Sequence, residues 1–97
     1  MFGFGKKKNG IIKDYHADGS LKSEVSYVDG KNHGPIKTWH ENGKLAFEGG
    51  FNFNRRYGIL TTYYENGNKE AQIEYDLFGK QIGESFHWYQ SGQLKGH

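Results

Sequence analysis

Trp39-His40-Glu41-Asn42-Gly43-Lys44-Leu45 and, one period later, Tyr63-Tyr64-Glu65-Asn66-Gly67-Asn68-Lys69 decide the fold of this chain. Each stretch places a ring four residues ahead of a glycine, with Asn-Gly at its centre. Asn-Gly tolerates positive φ, which tight hairpins require, so each reads as the turn between two strands. Working outward, the same spacing returns as Tyr15 with Gly19 and as Trp88 with Gly92, so the rings step by 24, 24 and 25 residues. A second glycine row, Gly10, Gly34, Gly58 and Gly83, precedes the rings by five. A further aromatic row, Tyr27, Phe51 and Tyr75, keeps the 24-residue step. Self-similarity of this kind marks a repeat architecture.

Within a unit, Leu45, Phe47 and Phe51 alternate with Ala46, Glu48 and Asn52, and Ala71, Ile73 and Tyr75 with Glu70, Gln72 and Glu74. Period two is the signature of a half-buried strand. Pro35 to His40, Ile59 to Tyr64 and Ser85 to Tyr89 are rich in β-branched and aromatic residues, again strand-like. No segment keeps helical spacing for ten residues. The expected fold is all-β: an extended, single-layer, twisted antiparallel β-meander of repeated hairpins. Residues 1–97 form a single repeat domain, with a half unit at 2–14, full units at 15–38, 39–62 and 63–87, and a partial unit at 88–97.

The hairpin register has two solutions. A three-residue loop, Glu41-Asn42-Gly43, pairs Trp39 with Leu45; a two-residue turn, Asn42-Gly43, pairs His40 with Leu45 and turns Trp39 to the other side. A one-residue slip exchanges the faces. The three-residue loop is favoured because it gathers Trp39, Leu45, Phe47 and Phe51 on one side. Trp39, Tyr63 and Trp88 then belong to the packed face; with the two-residue turn they form a second docking strip.

Composition narrows the function. The chain has 97 residues, 34% hydrophobic and 16% aromatic, with 15 glycines against one proline, so its buried surface is built largely from rings. There is no cysteine, which removes disulfide frameworks and thiolate chemistry and fits a reducing, cytoplasmic setting. No apolar run reaches the roughly 18 residues of a membrane span, and Met1 to Lys8 lacks the apolar stretch of a signal peptide. Gly-x-Ser-x-Gly, His-Glu-x-x-His and aspartate-rich calcium loops are absent, so no catalytic residues and no enzyme activity are expected. His16 and His40 share a repeat position, but equivalent residues lie about 10 Å apart, twice the strand spacing. Zinc–nitrogen bonds are about 2.1 Å, so no metal is expected there, and no cofactor elsewhere.

The repeat with its Asn-Gly turns and Gly-Lys closures (Gly30-Lys31, Gly79-Lys80) resembles the bacterial variant of the MORN repeat, in proteins often described as YwqK-like antitoxins. The resemblance runs from about residue 10 to the end. It implies an extended twisted sheet used in protein–protein contact, with eukaryotic relatives linked to membrane phospholipids. Two departures stand out: Asn54-Arg55 replaces Gly-Lys, and one extra residue lies between Tyr75 and Gly79.

Turns within units carry Asp18, Glu41 and Glu65 against Lys44, whereas turns between units carry Lys6, Lys7, Lys8, Lys31, Arg55, Arg56 and Lys80 against Asp29 and Asp76. One rim should be acidic and the other basic, and a basic row steers acidic partners. Both departures fall on the basic rim. The candidate partner-binding set is therefore Phe53, Arg55, Arg56, Tyr57, Leu77 and Phe78, with Lys31 and Lys80 steering, because rings and guanidinium groups dominate interface hot spots. The expected function is non-enzymatic: a binding module that docks onto or neutralises a protein, such as a toxin or a nucleic-acid-processing enzyme. Alternatives are peripheral binding to anionic phospholipid through this rim with Phe2, Phe4 and Lys6–Lys8, and single-stranded nucleic-acid binding, which a net charge of only +2 argues against. Homodimerisation is a further expectation, since a one-layer sheet leaves a face and two edges open.

Overall fold

The computed structural model describes residues 7–96. The expected anchor residues Phe2, Phe4 and Lys6, and the front of the half unit at 2–14, lie outside them. Eight strands follow one another: β1 (Gly10–Tyr15), β2 (Leu21–Val28), β3 (Lys31–Trp39), β4 (Leu45–Asn52), β5 (Arg55–Tyr63), β6 (Lys69–Tyr75), β7 (Gln81–Trp88) and β8 (Leu94–Gly96). Each pairs antiparallel with its chain neighbours in one open sheet of order β1 to β8, with no helix among the described residues. The Cα envelope measures 55 × 37 × 12 Å, and the radius of gyration is 15.7 Å, against about 13 Å for a compact chain of this length. The meander expected from the alternation is therefore the fold.

The three-residue loop is the one adopted. His40 N–H donates to Lys44 O at 2.8 Å and Gly43 N–H to His40 O at 2.9 Å, with Gly43 at φ +89°. The same pair of bonds closes the loops at 16–20, 64–68 and 89–93. Only glycine takes that φ cheaply, which is why the first glycine row is kept.

The consequence expected of this loop is corrected by a bulge. Trp39 pairs with Leu45 but Thr38 pairs with Phe47, so Ala46 is an extra residue; Lys22 and Glu70 are extra in the same way. An inserted residue resets the side-chain alternation. Trp39 and Leu45 therefore do not join Phe47 and Phe51; they face the opposite side of the sheet.

The second glycine row bends the strands. Val25 pairs with Ile36 but Tyr27 with Asn32, which leaves two extra residues around Gly34 (φ +105°). The irregularity recurs around Gly58 and Gly83. Strands are therefore longer than the β-rich runs suggested, because each continues through its glycine.

Alternation and pairing define an apolar face with Val25, Ile36, Phe47, Phe51, Leu60 and Ile73, and an opposite, polar face on which Lys13, Glu24, Lys37, Glu48, Gln72 and Glu74 are interspersed with rings and aliphatic side chains such as Trp39, Ile59, Tyr63 and Ile82. Ile36, at 8% exposure, is the one core-like hydrophobic residue among those described, because a single layer has nothing to bury against. Leu60 and Phe47 close over Gly49: a Cβ there would lie 2.7 Å from Leu60 Cγ and 3.1 Å from Phe47 Cζ.

Candidate functional site: the rim between repeats

Two turns make the centre of the basic rim. Asn52 pairs with Arg55 across Phe53-Asn54, both at positive φ (47° and 72°). This is the backbone of a two-residue turn, and Asp29-Gly30 forms its counterpart one repeat earlier at 50° and 80°. Asparagine tolerates that region, whereas a phenylalanine held there is strained. Asn54 also explains its own departure from the repeat. Its Oδ1 accepts from Asn32 N–H and its N–H donates to Asn32 O, both at 2.8 Å, so it locks this turn to the preceding repeat.

The extra residue before Gly79 changes the next turn to a three-residue loop, Leu77-Phe78-Gly79. Asp76 N–H donates to Lys80 O, Gly79 N–H to Asp76 O, and Asp76 Oδ1 accepts from Phe78 and Lys80 N–H groups. The loop presents Leu77 at 52% exposure and Phe78 at 77%. Neither ring of the pair Phe53 and Phe78 is folded over the sheet as core. Phe53, half exposed, stacks on His33 with centroids 4.2 Å apart, and its N–H donates to His33 Nδ1 at 3.3 Å.

The two irregular turns touch. Asn52 Nδ2 donates to Leu77 O at 3.3 Å, and the Arg55 stem packs on Gly79, whose Cβ position lies 3.3 Å from Arg55 Cβ. Phe53, Arg55, Leu77, Phe78 and Lys80 thus share one stretch of rim. The remaining expected residues are divided. The Arg56 guanidinium lies 5.4 Å over the Tyr75 ring on the apolar face, whereas Tyr57, paired with Gly50 and 45% exposed, faces the polar side. Lys31 sits one repeat away at the 29–30 turn.

The ring row lies on the polar face. Tyr63 O–H donates to Glu48 Oε1 at 2.7 Å; burial, then that hydrogen bond and the Glu48 charge, push its pKa up to about 12. Trp88 sits between Phe86, with centroids 6.2 Å apart, and the Lys69 ammonium, 5.8 Å from its centroid.

The neighbours of these rings form a device that sequence reasoning missed. His16 Nε2–H donates to Trp39 O at 2.9 Å, His40 Nε2–H to Tyr63 O at 2.8 Å, and Tyr64 O–H to Trp88 O at 2.6 Å. Asn42 and Asn66 reach the Glu65 and Gln90 carbonyls in the same sense. A donor-bearing side chain spans the two-strand gap that no metal could. The signal was present in the row His16, His40 and Tyr64, whose shared property is a long donor. On the acidic rim Asp18 is held below its ordinary pKa by hydrogen bonds from the Ser20 hydroxyl and N–H.

A single sheet of like hairpins, laced along both rims, is a repeat scaffold that works through its surface. The chain belongs to the MORN repeat variant family, which matches residues 8–29, 32–52 and 56–77. Each match covers one hairpin to within a residue: β1–β2, β3–β4 and β5–β6. The β7–β8 hairpin continues the same geometry beyond the matched residues. MORN repeats are often involved in binding, to proteins or to phospholipid membranes. No curated protein matches the chain.

Proposed function

We propose that the chain is a non-enzymatic, antitoxin- or inhibitor-like module that docks onto a protein partner and neutralises it through the rim between repeats. The observation that carries this reading is the contact between the only two irregular turns among the described residues, which project Phe53, Leu77 and Phe78 beside Arg55 and Lys80. A solvated turn gains nothing from exposing such side chains, and a strained Phe53 costs stability. Rings supply contact area and guanidinium forked hydrogen bonds, the combination that anchors interfaces. Lys31 and Lys80 steer an acidic surface towards them. Trp39, Tyr63 and Trp88 would offer a second strip on the polar face. The test is recovery of a partner by the wild-type chain and by Arg55→Ala/Phe78→Ala. Loss of capture with unchanged circular dichroism is expected; equal recovery of the same partner refutes the assignment.

A second reading rests on the same exposed Leu77 and Phe78 flanked by Arg55 and Lys80: insertion of apolar tips beneath anionic headgroups. Co-sedimentation with anionic liposomes that survives high salt would favour it, and absence of binding at low salt would remove it.

A further inference from the structure

Among the described residues nothing covers the apolar face. Phe47, Phe51, Leu60 and Ile73 are only half-buried, and the 12 Å thickness of the envelope leaves no second layer above them. Sheets with one apolar face reach stable packing against a second layer about 10 Å away. The two rims of this sheet also differ in sign: Asp18, Glu41 and Glu65 are exposed along one, Lys31, Arg55, Arg56 and Lys80 along the other. Cations at the basic rim lean onto the apolar side, with Arg56 over Tyr75 and the Lys8 ammonium 5.2 Å from the Tyr27 centroid.

We propose that the occupant of the apolar face is a second copy of this chain, related by a two-fold axis that runs across the strands. That operation turns apolar face to apolar face and reverses strand direction, so the acidic rim of each copy lies against the basic rim of its mate. A two-fold axis along the strands would instead stack acid on acid and base on base. Charge therefore selects one of the two symmetric sandwiches, and the contact is closed, giving a dimer and not a fibre. The 55 × 37 Å outline leaves ample room for the roughly 800 Å² per partner of a standard interface. This interface shares Lys31, Arg55 and Lys80 with the proposed docking rim but goes beyond that reading and does not rest on it, since the pairing of faces uses none of Phe53, Leu77 and Phe78.

Sedimentation equilibrium over a wide concentration range tests the proposal with two folded variants, Glu41→Lys/Glu65→Lys and Lys31→Glu/Lys80→Glu. The wild-type chain should dimerise, and each variant alone should dimerise roughly tenfold or more weakly, because the substituted positions on both rims of the pair then face like charge. An equimolar mixture should recover wild-type affinity, since the variants complement each other on both rims. A monomeric wild type, variants that dimerise as well as wild type, or a mixture without recovery would each overturn it. Circular dichroism establishes that both variants retain the sheet.

Discussion

Gly49→Ala isolates the packing that the apolar face depends on. Gly49 lies in β4 without a positive φ, so alanine fits the backbone; the added methyl is the whole perturbation. Its Cβ would stand 2.7 Å from Leu60 Cγ and 3.1 Å from Phe47 Cζ, inside the roughly 3.5–4.0 Å at which carbon atoms attract. Overpacking of this kind costs about 1–3 kcal/mol. Alanine returns about 0.4–1 kcal/mol by restricting the unfolded chain. The net loss is about 1–2 kcal/mol, or roughly 5–15 °C in Tm for a chain of this size. Leu60→Ala alone loses part of a half-buried side chain, about 1–2 kcal/mol. In the double variant the Leu60 clash has gone and only the tip of Phe47 remains close, so the effects should fall short of additive by about 1 kcal/mol in urea unfolding with unchanged m. Gly58→Ala is the control. At φ +80° with no atom within 4 Å, it should cost about 1 kcal/mol through the backbone alone. A Gly49→Ala chain as stable as wild type, or strict additivity with Leu60→Ala, would refute the idea that Leu60 closes over that glycine.

His40→Leu removes the donor to Tyr63 O and should lower stability by about 0.5–1.5 kcal/mol in urea unfolding, with Asn42→Ala costing less because its acceptor is exposed. Tyr63 titrates late. Its folded pKa, about 12, lies above the ordinary 10.0, so its contribution is complete below pH 10 and is lost as pH rises through 12. An absorbance titration of wild type minus Tyr63→Phe should show that phenolate forming near pH 12. Phe53→Asn relieves the positive φ but gives up the His33 stack; the strain is the larger effect, so stability should rise by a few tenths to about 1 kcal/mol while partner capture weakens.

The hairpins, their loop length and the charge separation of the rims were legible because each is written in local chemistry. Asn-Gly fixes a turn, alternation fixes a strand, and turn residues fix rim charge. What could not be read is what depends on an insertion in the ladder. Ala46 carries no mark of a bulge, yet it sends Leu45 and Trp39 to the face opposite Phe47. Gly34 signals a special backbone but not whether the strand ends or continues there, and it continues. The separation of Arg56 from Tyr57 follows from plain alternation and could have been drawn from the sequence; grouping them by proximity in the chain overlooked it.

The two kinds of irregularity have different causes, and that difference ties the fold to its use. The extra residues beside the hairpin loops and around the strand glycines recur in repeat after repeat, so they belong to the scaffold and set its twist. Asn54 also answers to the scaffold, because its bonds to Asn32 hold neighbouring turns together. Phe53, Leu77 and Phe78 take little from the sheet: Phe53 is strained and has a stack on His33, and all three are at least half exposed. Side chains that gain so little burial within the sheet are what the proposed docking rim rests on. The rim they occupy is therefore where a partner should be sought, and the apolar face behind it is where a second copy should be.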